Sequence, residues 1–150
     1  MKFSKKTEYG LLALIDMAIQ QERGGGRMTT RDIAARRHIP ERFLEQQITT
    51  LRNAGLVHSQ RGALGGCSLA RRPDGITVLD VVEALEGAIL EPAGEEDEGE
   101  TAGRPAVGAI RELVGRAQAA LIALYRSVSI ADLARRETEL YEQDCQMFYV

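Results

Sequence analysis

The sequence predicts a mainly α-helical protein with one small two-stranded β-hairpin. Apolar residues recur at the three-and-four spacing of helices along most of the chain. Only residues 56–70 combine two short β-prone runs with a glycine-rich turn between them. With 150 residues, 44% of them apolar, the chain is long enough to bury a core without disulfide or metal staples.

The first two helices follow from apolar periodicity and from capping residues. Residues 1–20 form an amphipathic pattern that Gly24 to Gly26 end. Thr29 lies three residues before Asp32, a variant of the capping box, and opens a short helix that stops near His38.

A third helix is predicted to start with Pro40 as its first residue and to end at Gly55, which supplies a left-handed C-terminal position. Its buried stripe is Leu44, Ile48 and Leu51. Its opposite, exposed face carries five polar side chains: Arg42, Glu45, Gln46, Thr49 and Arg52.

The hairpin pairs residues 56–59 with residues 67–70 across a tight turn at 61–66, and Pro73-Asp74-Gly75 closes it. A capped helix follows, opened by Thr77 with Asp80 three residues later and ended by Gly87.

The remaining chain is predicted to form an acidic mobile loop at 88–104, a long helix at 105–127 and a last helix capped by Ser129 with Asp132. The long helix has the spacing of one that packs along its length against another helix: Ile110, Leu113, Ala117, Leu121 and Leu124. The predicted organisation is thus a domain at 1–87, the loop at 88–104, and a helical unit with its tail at 105–150.

Net charge is distributed unevenly. The whole chain carries −3, but residues 1–75 hold 13 Lys/Arg against 7 Asp/Glu, whereas residues 76–150 hold 6 against 15. The first half is therefore basic enough to bind nucleic acid although the protein is acidic. A soluble, cytoplasmic protein without membrane segments is expected, because the apolar runs are far too short to span a bilayer.

Two helices joined by a short turn and followed by a hairpin form a winged helix-turn-helix pattern, in which the second helix enters the major groove. Glu45 can accept from a cytosine amine, Gln46 can pair with adenine, and Arg42 can reach guanine or phosphate. Arg61, at the wing tip, suits phosphate or a narrow minor groove. The alternative is a small helical domain whose polar helix face is merely solvated.

Five ordered motifs together resemble the IscR/NsrR/CymR family of winged-helix repressors (the Rrf-two type): Phe3 to Leu14, Ile39 to Ile48, Leu51 to Val57, Arg61 to Gly66, and Ile76 to Gly87. The resemblance implies a homodimeric transcription regulator that binds operator DNA and whose two copies pair through a long dimerisation helix. It also implies that Glu45 and Gln46 lie on the recognition helix and that Arg61 enters the minor groove.

One departure from that family concerns its cofactor. Many members bind an iron–sulfur cluster through three cysteines in the loop before the long helix, but here residues 88–104 contain neither Cys nor His and carry six acids. Glu8 matches a position from which some members supply an acidic ligand, yet one carboxylate cannot hold a cluster. We therefore predict no cofactor and no metal site.

Three alternatives stay open from the sequence. Cys67, near several arginines of the wing, could be a redox-sensitive thiol, although a small strand residue is the simpler interpretation. An unusual metal site could serve as the sensor. The chain could also be a protein-interaction module that no longer binds DNA. No catalytic motif is present, so an enzyme is not expected.

Overall fold

The structure is a computed structural model that describes residues 2–87 and 105–147, so the predicted acidic loop lies outside the described residues. It confirms the predicted fold class, a mainly α-helical winged helix. Two strands, six helices and one short 3-10 helix at Pro73–Gly75 make up the described part: α1 Lys5–Glu22, α2 Thr30–Arg37, α3 Glu41–Asn53, β1 Val57–Gln60, β2 Gly66–Leu69, α4 Val78–Glu86, α5 Pro105–Ser127 and α6 Ile130–Met147.

The predicted helix starts are confirmed where a capping side chain was expected. At α2, the Thr29 hydroxyl oxygen accepts a hydrogen bond from the Asp32 amide at 3.1 Å. At α4, Thr77 accepts from the Asp80 amide at 3.1 Å while the Asp80 carboxylate accepts from the Thr77 amide at 2.9 Å. Caps of this kind satisfy amides that have no partner within the helix, so they fix where each helix begins.

Other boundaries differ by about one residue. Helix α3 begins at Glu41, and Pro40 is its N-cap rather than its first residue, because its ψ of 122° is extended while its carbonyl already accepts from the Leu44 amide. Strand β1 begins and ends one residue later than predicted, and strand β2 begins and ends one residue earlier. The predicted turn at 73–75 is a single 3-10 turn.

The two strands pair antiparallel, from Val57 opposite Leu69 to Gln60 opposite Gly66. A further bridge joins the hairpin to the segment before α2: the Met28 amide donates to the Cys67 carbonyl at 2.9 Å, and the Cys67 amide donates back to Met28 at 2.6 Å. Strand β2 of the hairpin is therefore tied to the segment that leads into the helix-turn-helix.

One core joins both halves of the described chain. It is built around α1, and its fully buried side chains come from α1, α2, α3, β1, α4 and α6: Leu14, Ile33, Leu44, Leu51, Val57, Val81, Val82 and Ile130. The start of α6 is also held by the backbone, because the Ile130 amide donates to the Ile76 carbonyl at 2.8 Å and the Val78 amide donates to Val128 at 2.9 Å. Helix α6 thus returns to the N-terminal domain.

Of the helices within 2–87 and 105–147, none has the length and apolar character needed to cross a bilayer.

Candidate DNA-binding surface

The turn between α2 and α3 sets the angle of the two helices. His38 ends α2 in the left-handed region, at φ 53°, and the Ile39 amide then donates to the Ala34 carbonyl at 2.9 Å. Ile39 is buried, so the turn is anchored from inside. A left-handed residue reverses the chain abruptly, as a helix-turn-helix requires.

Helix α3 separates a buried side from an exposed one. Leu44, Gln47, Ile48 and Leu51 are buried against the core. The residues predicted as the DNA-contacting face are all exposed on the other side: Arg42, Glu45, Gln46, Thr49 and Arg52. The period of 3.6 residues explains this division, because positions 44, 48 and 51 share one face.

Local hydrogen bonds constrain the second half of that face. The Thr49 hydroxyl donates to the Glu45 carbonyl at 2.9 Å, so its methyl group is the part left for an outside partner. Arg52 donates from Nη1 to the Ser59 hydroxyl at 3.4 Å. Arg52 thus lies between α3 and strand β1, which brings the end of the helix and the wing together.

The wing tip presents Arg61 on a turn that only glycine can form. The Gly65 amide donates to the Gly62 carbonyl at 2.9 Å. A Cβ at Gly65 would lie 2.3 Å from the Gln60 carbonyl oxygen, well inside contact distance. Arg61 is exposed at the start of this turn.

Two residues near the wing were missed by sequence reasoning. Arg27 is exposed and hydrogen-bonds from Nη1 to the side chain of Gln60, the last residue of β1, which places a further cation beside the wing turn. Leu64 is 90% exposed at the wing tip. No periodicity could have indicated Arg27, because its position depends on the Met28–Cys67 bridge between distant segments.

The two cysteines are in different surroundings. Cys67 is buried on strand β2 of the wing, with Sγ 3.6 Å from the Thr30 hydroxyl, whereas Cys145 is exposed on α6. Iron–sulfur clusters need several thiolates together. This donor set does not fit such a cluster. Among the described residues, no three His, Cys, Asp or Glu side chains come together as a metal site would require.

Comparison with known proteins identifies the family. The family model Rrf2, described as "Iron-dependent Transcriptional regulator", matches residues 3–136. The chain belongs to the Rrf2 family. Its Rrf2 relatives include the HTH-type transcriptional regulator CymR of Bacillus subtilis, which is 39% identical over 150 residues, the full length of both chains.

Solved structures of Rrf2 proteins have the same fold. The structure of CymR, titled the global cysteine regulator of B. subtilis, matches with a TM-score of 0.75 and 38% identity, covering 91% of this chain and 98% of CymR. That of T. potens IscR matches with a TM-score of 0.71 and 34% identity, covering 93% and 90%. This Rrf2 chain is accordingly a DNA-binding transcriptional regulator.

Proposed function

We propose that the chain is a repressor that binds a pseudo-palindromic operator as a homodimer and works without an iron–sulfur cluster. The observation that carries DNA recognition is the exposed polar face of α3 beside the Arg61 wing tip. The absence of cysteine from residues 88–104 is the reason for proposing a cluster-free protein.

Base recognition is assigned to the first two turns of α3. Glu45 is suited to accept a hydrogen bond from the cytosine N4 amine, and Gln46 to pair with adenine N6 and N7. Arg42, one turn earlier, can donate to guanine or to a phosphate. Each good pair discriminates against the wrong base by about 1–3 kcal/mol, so these three positions would define most of a half-site.

Backbone contacts are assigned to the residues around this centre. Arg61 suits a narrow A·T-rich minor groove, whose potential attracts guanidinium groups. Arg52 lies further along α3, where it would face the phosphates that flank the major groove, whereas the Thr49 methyl group suits apolar contact with a thymine methyl. Phosphate contacts fix the position of the protein on DNA and make its affinity depend on salt.

A second copy of the chain is the proposed partner of α5. This helix of 23 residues has no buried residue. Its uncovered apolar side chains follow helical spacing along one face: Ile110, Leu113, Val114 and Leu124, which are 43–64% exposed. Paired with its symmetry mate, α5 would hold two recognition helices one or more helical turns apart on DNA, with about 10 base pairs per turn.

The test is a salt titration of DNA binding by the full chain. Genomic fragments selected by the purified protein are compared with random fragments, and Glu45→Ala and Arg61→Ala are measured against Glu83→Ala and Arg135→Ala as charge-matched controls on α4 and α6. We expect the log–log salt slope of Arg61→Ala to fall by about one. Glu45→Ala should lose discrimination at one base pair of each half-site.

Three results would count against the proposal. Equal weak binding of selected and random fragments would favour the protein-interaction module instead. Iron and visible absorbance in an anaerobically purified sample would contradict the cluster-free form. Transcription that rises when the protein occupies its operator in a purified system would contradict repression.

A further inference from the structure

Asp16 is a carboxylate buried within the most apolar part of α1, with 6% of its surface exposed. Burial of a charge is costly unless the charge is paired and hydrogen-bonded. Asp16 Oδ1 accepts a hydrogen bond from Arg37 Nη2 at 3.0 Å. Its Oδ2 lies 3.5 Å from Arg36 Nε, but it accepts no hydrogen bond from the described residues. Arg37 is therefore the principal partner of this buried charge.

Arg37 also contacts a third helix. Its other terminal nitrogen, Nη1, donates to Glu137 Oε1 of α6 at 2.5 Å, and only 15% of the arginine side chain is exposed. Burial lowers the pKa of the Arg37 guanidinium, but the hydrogen bonds and charges of Glu137 and Asp16 more than offset this and raise it overall. The guanidinium of Arg37 thus joins α1, α2 and α6. Its planar group carries several N–H donors, so it can donate to two carboxylates at once.

The position of Arg37 in the chain gives this contact its significance. Arg37 is the last residue of α2, directly before the left-handed His38 and the turn that leads to α3 at Glu41. The contacts of the Arg37 side chain therefore fix the end of α2, from which the turn leads to the recognition helix α3.

The other end of the contact is continuous with the proposed dimerisation helix. Helix α6 follows α5 after residues 128–129, and the Val128 carbonyl accepts a hydrogen bond from the amide of Val78, the first residue of α4. Glu137 lies two turns into α6, beyond Ile130 and Ala134, which are buried in the common core. The start of α6 is thus fixed to the N-terminal elements, and the contact of Glu137 with Arg37 attaches the same helix a second time, two turns further along.

We propose that Arg37 is a positioning residue for operator recognition: by joining Glu137 of α6 to Asp16 of α1, it fixes the direction of α3 relative to the dimerisation helix. The spacing of the two half-sites on DNA would then depend on this contact. The inference rests on the proposed homodimer and concerns the contact that sets the distance between its two recognition helices.

The same helix offers a matched control. Arg136 and Glu139 of α6 form an exposed ion pair at 3.0 Å, three residues apart, with side chains 56% and 48% exposed. Such surface pairs contribute little and join no separate elements. Glu139→Gln therefore removes the same charge from the same helix as Glu137→Gln without touching the contact between helices.

The experiment selects operators from a DNA library in which two fixed half-sites are separated by variable spacers. Wild type, Glu137→Gln, Glu139→Gln and Arg37→Lys are compared, and unfolding in urea is measured for each. For Glu137→Gln we expect the preference for the best spacer over those one base pair longer or shorter to fall by about fivefold, the lower end of typical coupling between sites. Arg37→Lys should behave similarly, since lysine lacks the planar guanidinium.

The outcomes separate the two proposals. Glu139→Gln should keep the wild-type spacer preference. A Glu137→Gln protein that loses stability but keeps that preference would show a merely structural role and overturn the inference while leaving the proposed function intact. A wild-type protein that binds single half-sites and paired half-sites equally would overturn the dimeric function, and the positioning role with it.

Discussion

At the scale of single residues, Ser4 has two tasks at the beginning of α1. Its hydroxyl oxygen accepts from the Thr7 amide at 3.3 Å and so caps the helix. The same hydroxyl donates to Glu86, the last residue of α4, which also accepts from the fully buried Thr7 hydroxyl at 2.6 Å. Hydrogen bonds from Ser4 and then Thr7 hold the pKa of Glu86 below its usual value of 4.5.

This lowered pKa predicts a dependence of stability on pH. A carboxyl whose pKa is lower in the folded protein stabilises it above the unfolded pKa, and that stabilisation is lost as pH falls through the folded pKa. Glu86→Gln should therefore be less stable than wild type at neutral pH and should lose less stability on acidification to about pH 3.

Urea unfolding at both pH values measures the effect. Glu83→Gln is the control, because Glu83 is exposed on the same helix and has no ion pair among the described residues. Parallel losses on acidification in wild type and Glu86→Gln would contradict the prediction.

Residue contacts also show where sequence reasoning ends. The exposure of Arg42, Glu45 and Gln46 could be predicted, because it depends only on helical period. The contact between Arg37 and Glu137 could not, since 100 positions separate them and no local pattern marks the pairing. For the same reason Arg27 was not recognised as a wing residue.

At the scale of elements, helix starts were predicted well because a cap is a local device. Thr29, Thr77 and Ser129 each bond to the amide three residues later, within one turn of chain. Strand ends were predicted less well: pairing depends on the partner strand and on the bridge at Met28, neither of which is encoded beside the strand itself.

Helix α5 leaves its apolar face exposed in the single chain. Leu113 is 64% exposed on the apolar face proposed to meet a second copy, whereas Glu112 lies on the opposite side of the helix. Leu113→Lys should shift the protein to monomers and weaken binding to paired half-sites, because it places a charge in an apolar interface.

Sedimentation velocity over a range of concentrations measures the oligomeric state. Glu112→Lys, which adds the same lysine elsewhere on α5, should remain dimeric. If both variants dimerise as wild type does, the partner of this face is not a second copy.

At the scale of the whole molecule, a single core contains residues of the N-terminal elements and of α6, which are far apart in the sequence. Ile130 is fully buried in it, and its amide is bonded to Ile76. The charge asymmetry of the sequence therefore does not correspond to two separately packed halves in the described structure: α6 belongs to the acidic half of the chain and packs on the basic half.

Ile130→Ala tests this continuity. Truncating a buried isoleucine costs about 2–5 kcal/mol in the free energy of unfolding. Because the core is shared, Ile130→Ala should destabilise α1 and α2 as well as α6. Urea unfolding followed by circular dichroism, together with amide exchange in α1, should report one shared transition at lower denaturant.

Leu140→Ala is the comparison, since Leu140 lies on the same helix and is 46% exposed. An Ile130→Ala protein no less stable than Leu140→Ala, or one whose α1 amides keep their full protection, would mean that α6 unfolds independently.

The bridge between Met28 and Cys67 has a consequence for how this chain can diverge. Residues 24–26 are all glycine, and such a segment looks like a spacer whose length could drift freely between relatives. Because Met28 is hydrogen-bonded in both directions to the second wing strand, an inserted or deleted residue there would move the wing relative to α1. The glycine segment is therefore constrained in length, and Gly24 is constrained in composition as well, because its φ of 72° is rarely adopted by other residues.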